Sequence, residues 1–431
     1  MTSNNYKDKK IFCIILICIF ILINFVMADV SDISTEDHGY VGQSEALSDD
    51  MARFFSADSP WNMLIPMDAS IDDHSDEMIQ NLVDHLAKVG RQTTANVRNY
   101  TVPVHVINPL ADDADIVIVH ERTGTSNFHP SVDENSRDPV ENGIGLAQIR
   151  IQRGDEIVFG IPMPTGIWPD PKSDGHMTLI TYRPVILPDF SPEPHYYSFD
   201  FSRLTFSEEN SRWEASRVYV WNLDDRGYEI PFSGERWWKR GARGAGTPLL
   251  AGLVTLKEFQ EALQGTPITH ALAMATPTNG WNHDGSEEEQ LRIPATRTDS
   301  PKDHRGSQWF LEGMRLRLKL NFEPNTDGLN KQEIRSLEIL EQTLKVYGSI
   351  IVDNAEDVTF YMEGRDRTGN SAGPWEQYGN FQSLLNRFPA SAFEVIAGEN
   401  WTRGQQKFDN RSRQESEKNE EHHGKLSGVD Q

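Results

Sequence analysis

The chain has 431 residues, with 41 Lys and Arg against 65 Asp and Glu, and a formal net charge of −24. Phosphate binding needs the opposite sign, so nucleic acid is excluded as a partner. Both cysteines, Cys13 and Cys18, fall in one N-terminal apolar run, so a processed chain would hold no disulfide, thiolate metal site or cysteine nucleophile.

Lys7, Lys9 and Lys10 precede the apolar run Ile11 to Ile23, which is short for a membrane span, and Val26-Met27-Ala28 follows with small residues at the spacing of a signal-peptidase site. Cleavage after Ala28 would remove a net +2 and leave −26. The protein is therefore expected to be secreted or otherwise extracytoplasmic, in the periplasm or at the cell surface, meeting a membrane only if this segment stays uncleaved. Residues 29–50 are acidic and poor in large apolar side chains, which predicts a flexible leader before a folded body over 51–402.

A helix is predicted from Ser75 to Val89, where Met78, Ile79, Leu82, Val83 and Leu86 recur at helical spacing. Short β-branched and aromatic runs then follow one another: Val102–Ile107, Asp115–His120, Leu146–Ile151, Glu156–Ile161, Met177–Tyr182, Tyr196–Phe201, Trp213–Trp221, Ile268–Ala275 and Met314–Leu320. Thr255 with Glu258 and Asn330 with Glu333 read as capping boxes for two further helices. Ser349–Asp353 and Val358–Met362 read as a hairpin, and residues 403–431 as a disordered tail. Strands about ten residues apart predict a mainly β fold rather than strand-helix-strand units. The expected architecture is one elaborated β-sandwich, jelly-roll or concanavalin A-like, with a few peripheral helices.

HExxH, GxSxG, GxxxxGK[ST] and GxGxxG are all missing from the sequence. The most suggestive stretch is Gly234–Gly246, which sets Trp237 and Trp238 beside Arg236, Lys239, Arg240 and Arg243. Indole faces stack on sugar C–H surfaces, and guanidinium groups bind hydroxyls or carboxylates. Trp213, Arg217, Tyr219 and Trp221 alternate along one predicted strand and offer a second such platform. Asp174 and His176 stand at the entrance of the Met177 strand, where the carboxylate would orient the imidazole as a general base. His270 lies in a small-residue strand and is expected either to face a cleft or to be satisfied in the core.

Hydrolysis of a glycosidic bond needs two flanking carboxylates, and Asp200, Glu214, Glu312, Asp353 and Glu363 are available without forming a visible pair. Elimination from a uronic acid needs a base and a cation on the substrate carboxylate, roles open to His176, Tyr197, Arg217 and Arg243. No metal centre is expected. Calcium is the one cofactor left open, since Asn222–Gly227 has the outline of a calcium loop, but Arg226 stands where a ligand oxygen belongs.

The ordered series ADSPWN (Ala57–Asn62), DGHM (Asp174–Met177), GARGAGTPLLAGL (Gly241–Leu253), HALAMATP (His270–Pro277), PATRTD (Pro294–Asp299), EGMRLRL (Glu312–Leu318) and YGSIIVDNAEDVTFYME (Tyr347–Glu363) resembles a family of secreted bacterial proteins of unassigned activity. The resemblance implies one integrated domain and brings no catalytic residues. A looser similarity at fold level is to secreted jelly-roll polysaccharide-degrading enzymes. Together these readings predict a carbohydrate-active protein acting on an acidic polysaccharide, by elimination in preference to hydrolysis. The catalytic candidates are His176, Asp174, Arg217, Arg243 and Tyr197, and the substrate-binding candidates are Trp213, Trp221, Trp237, Trp238 and His270. The rival expectation is a non-catalytic glycan-binding or structural envelope protein.

Overall fold

The structure is a computed structural model that describes residues 53–107, 114–117, 120–121, 150–153, 156–159, 161–164, 166–172, 175–182, 185–186, 196–209, 212–215, 217–228, 241–281 and 291–398. The expected signal segment, leader and tail lie outside these residues, as do Asp174, Trp237 and Trp238.

Most of the described chain is strand, organised in two larger mixed sheets. The six-stranded sheet runs Thr93–Asn96, Val358–Tyr361, Leu272–Thr276, Ser349–Asn354, Arg315–Leu318, Phe393–Val395. The five-stranded sheet runs Arg217–Asn222, Tyr196–Ser202, Met177–Tyr182, Val102–Ile107, Glu363–Gly364. The expectation of a mainly β chain holds. The expected absence of strand-helix-strand units does not, because Leu272–Thr276 lies parallel to Ser349–Asn354 and the chain between them includes the helix Lys331–Val346. Parallel neighbours cannot be joined by a tight hairpin, so the connection must cross over. Val102–Ile107 and Met177–Tyr182 are parallel as well.

Alternation divides the apolar side chains of the six-stranded sheet between two cores. Leu272, Met274, Ile351 and Phe360 point to one side, where they meet Met78, Ile79, Leu82 and Leu86 of helix Ser75–Val89, Phe259 of helix Leu256–Leu263, and Leu337, Leu340 and Leu344 of helix Lys331–Val346. Ala271, Ala273, Ile350 and Val352 point to the other side, where they share a core with Val102, Val104, Val106 and Ile180 of the five-stranded sheet. Burying one such Leu or Phe contributes about 1.5–3 kcal/mol. The small alanines make room for the segment Gly241–Val254, whose Ala245, Leu249, Leu250 and Leu253 fill that second core.

The parallel pairing of Leu272–Thr276 with Ser349–Asn354 is interrupted once. Ile351 pairs with Met274, but Ala275 pairs with Asp353, so Val352 is an extra residue. A bulge of this kind re-aims the side chains beyond it. Val352 and Asp353 therefore both serve the inter-sheet side, although they are adjacent in sequence.

The two helix starts differ. Asn330 closes a full capping box, accepting from Gln332 N and Glu333 N while Asn330 N donates to Glu333. At Thr255 only half of the box forms: Glu258 N donates to Thr255 Oγ1 at 3.2 Å, while the Glu258 carboxylate meets His270 Nε2 at 3.0 Å.

Candidate functional site

A cleft of about 510 Å³ opens beside the five-stranded sheet, with Trp168, Phe206 and Trp213 on its walls and Arg203, Arg367 and Gly175 among its lining. Four local structures build it. The loop 166–172 carries Trp168, held by His105, whose Nε2 lies 3.0 Å from Trp168 O with the two rings edge to face at 5.8 Å. Burial lowers the His105 pKa to about 4, with the Trp168 carbonyl opposing and Arg365 adding to the shift, so the ring is neutral near pH 7 with Nε2 turned to the Trp168 backbone.

The hairpin Thr205–Ser207 and Arg212–Ala215 supplies Phe206 and Trp213, whose centroids lie 5.5 Å apart. Phe206 is 51 % exposed, so its ring is open to the cleft as well as packed on Trp213. Arg203 precedes this hairpin with φ at 53°, a left-handed conformation uncommon outside glycine. Gly175 lies against this turn, and a Cβ there would come within 2.8 Å of Leu204 N. Arg367 follows Asp366, whose carboxylate accepts from Thr368 N and Ser371 N and shapes the loop. The modest burial of Asp366 opposes ionisation, but those N–H bonds prevail and lower its pKa to about 2.

The arrangement presents aromatic faces and two exposed guanidinium groups to one open space. It can stack sugar rings and bind carboxylates. Among the expected residues that are described, only Trp213 lines it. Gly175 of the DGH turn contributes, and half-buried His176 follows directly, its carbonyl accepting from Asp170 N at 2.9 Å.

Several other expectations change. Trp213 to Trp221 is two strands, Arg212–Ala215 and Arg217–Asn222, in different sheets, so the expected aromatic platform is broken. Trp221 is buried, and so is Tyr197. Arg217 pairs in register with Ser202 at the end of its strand. His270 is satisfied rather than open, with Nδ1 2.9 Å from Ala271 O and Nε2 on Glu258. Burial works against its charge, but Glu258 and the carbonyl prevail and raise the pKa.

Arg243 is only 1 % exposed. Its Nη2 donates to Leu249 O at 2.7 Å, its Nε to Pro248 O at 3.3 Å, and its guanidinium lies 4.0 Å from the Tyr361 ring centre. These bonds commit it to the interior, where burial lowers its pKa and the charges of Tyr361, Asp353 and Asp200 oppose that shift.

The carboxylates considered for hydrolysis are accounted for in the same way, save Glu214, of which only the strand position is described. Asp200 accepts from Thr178 Oγ1 at 2.6 Å and Leu249 N at 2.7 Å, and burial raises its pKa to about 6 against those bonds. Glu363 accepts from Leu256 N and Arg365. Asp353 and Glu312 do meet, through Asp299, which lies within hydrogen-bonding contact of both. Glu312 is fully buried, so it cannot reach a sugar bond from one side while a second carboxylate flanks the other.

Sequence reasoning missed Trp168, Phe206, Arg203 and Arg367. Trp168 sits in a Pro-rich turn and Arg203 between two strands, places where a sequence gives no direction to a side chain. Neither a family model, nor a curated protein, nor a solved structure matches this chain.

Proposed function

We propose that the chain is an extracytoplasmic carbohydrate-active protein that binds an acidic polysaccharide in the Trp168–Phe206–Trp213 cleft and cleaves it by elimination. The observation that carries this reading is the convergence of three aromatic rings and two guanidinium groups on one cleft. The rings stack on pyranose faces, and Arg203 and Arg367 take over the carboxylate-neutralising role first expected of Arg217 and Arg243. Neutralising a uronate carboxylate acidifies the adjacent C–H. His176, oriented by Asp174, then takes that proton; the C–O bond to the leaving sugar breaks, a C=C bond forms, and the leaving oxygen is protonated from solvent.

A β-sandwich like that of secreted jelly-roll polysaccharide-degrading enzymes is the architectural side of this proposal. The core shared by the two larger sheets supports it, while the parallel pairings set it apart from antiparallel Greek keys. The resemblance to secreted bacterial proteins of unassigned activity belongs to the same reading.

A second reading is a non-catalytic glycan-binding protein using the same cleft. Burial of Arg243 and Tyr197 favours it, because it removes two of the five expected catalytic groups.

The test uses the full chain with polygalacturonate, alginate and a neutral glucan, following binding, unsaturated-product absorbance and reducing ends. Arg203→Ala with Arg367→Ala is expected to weaken binding of the acidic polymers at least tenfold and leave neutral glucan unchanged. His176→Ala is expected to abolish absorbance while binding persists. Binding without turnover in the wild type supports the second reading, reducing ends without absorbance reject elimination, and failure to bind any of the polymers rejects both readings.

A further inference from the structure

The segment Gly241–Leu249 passes between the two larger sheets and is tied on every side. Ala245 N donates to Val352 O, Thr296 N and Arg297 N to Ala245 O, Arg297 side-chain nitrogens to Arg243 O and Gly244 O, and Leu249 N to Asp200. Against Gly244 lies the Asp299 carboxylate, so close that a Cβ would meet it at 2.6 Å.

Asp299 is exposed, Asp353 half-buried and Glu312 fully buried, so the three carboxyls form a file from solvent to core. Asp299 contacts both of the others. Among the described residues none of the three makes an ion pair. The charged and titratable neighbours are Arg243, Arg297, Asp200 and Tyr361; the charge of Arg243, whose Nη1 has no hydrogen-bond partner among the described residues, favours ionised Asp353, while Asp299 and burial oppose it. Arg243 binds carbonyls and stacks on Tyr361, Arg297 binds carbonyls, Asp200 binds Thr178 and Leu249, and Tyr361 donates its hydroxyl to Asp353 at 3.1 Å.

Neither oxygen of Glu312 has a hydrogen-bond donor, because the nearby Thr298 hydroxyl donates to Ser300 Oγ at 2.7 Å. Asp299 and Glu312, two carboxyl groups in contact with no cation acting on Glu312, require a proton between them.

We propose that Asp299, Glu312 and Asp353 form a proton-held latch that seats the segment Gly241–Leu249 between the sheets and loosens it when the proton is lost. With the proton in place, carboxyl-to-carboxyl hydrogen bonds draw exposed Asp299 inward onto Gly244. Without it, three negative charges converge, and Asp299, the most exposed of the three, moves outward and removes one wall of the seat. Burial, followed by the charge of Asp299, raises the pKa of Asp353 to about 7, and burial raises that of Glu312 well above the carboxylate range, which puts the onset of release near neutral pH.

The experiment is amide exchange of the full chain at pH 5 and pH 8, corrected for intrinsic rates, comparing wild type with Asp299→Asn and Glu312→Gln. Amides of residues 243–249 in the wild type are expected to lose at least tenfold protection at pH 8. Both amide variants keep a hydrogen-bonding group without the charge, so both are expected to hold their protection. Parallel loss in wild type and variants overturns the latch. Millimolar calcium at pH 8 serves as a control: protection restored in wild type but not in Glu312→Gln would make this a cation site and overturn the proposal. If Glu312→Gln does not fold, Asp299→Asn decides alone, since its side chain is at the surface.

Discussion

At the scale of single residues, the glycines of Gly241–Gly246 are explained by contacts rather than by looseness. Gly241 has φ at 100°, and a Cβ there would lie 2.2 Å from Gly246 O. Gly241→Ala is therefore expected to cost about 2 kcal/mol or more in denaturant unfolding, combining a disfavoured φ with a backbone clash. Gly90, with φ at 67° and nothing within 4 Å, is expected to tolerate the same change with a smaller loss. Equal losses at the two positions would contradict the role given to the clash. The sequence made Arg243 legible as an important residue but not its direction: a guanidinium beside two tryptophans suggests a ligand, and only the positions of Pro248 O and Leu249 O show that its Nε and Nη2 turn to the interior.

At the scale of elements, local signals were read well where they are self-contained. Val102–Ile107, Met177–Tyr182 and Ser75–Val89 have the boundaries that their patterns predict, because alternation, helical spacing and the Gly90 cap all sit within the element. The Asn330 box is equally local, and Asn330→Ala is expected to cost about 1 kcal/mol by thermal or denaturant unfolding. Thr255 is different: Glu258 fits the box in sequence, yet a histidine twelve positions away in the chain takes its carboxylate. The break of Trp213–Trp221 into two strands was likewise invisible, because the partners that separate them, Phe206 on one side and Tyr197 and Phe199 on the other, come from different sheets. Parallel pairing was missed for the same reason, since it depends on a crossover and not on strand composition.

At the scale of the whole molecule, the titrating groups act in one direction above neutrality. Asp353 and Asp200 hold protons more tightly when folded, so the stability they contribute is present at low pH and lost as pH rises through about 7 and about 6. His270, whose pKa is raised by Glu258, likewise loses its contribution as pH climbs past its folded value. His105 opposes them only on the acid side, where its neutral form is preferred and stability falls as pH drops from 6.5 toward about 4. The full chain is expected to unfold at a higher temperature at pH 6 than at pH 8, by calorimetry at fixed ionic strength. A higher midpoint at pH 8 would contradict this balance. The sequence disclosed the acidity but not its distribution; which carboxyls fall inside depends on sheet pairing across tens to hundreds of residues.

The extra residue at Val352 also has a bearing on how the strand finds its partner. Ile350-Ile351-Val352 is nearly uniform in size and polarity, and such a run could slide by one position along Leu272–Thr276 with little change in apolar contact. A one-step slide would reverse the sides, and Asp353 would then enter the helix-covered core, among the apolar side chains of Leu272, Met274 and Phe360. The same acid that completes the file toward solvent thus acts as an alignment mark, making a one-step misalignment of this strand costly.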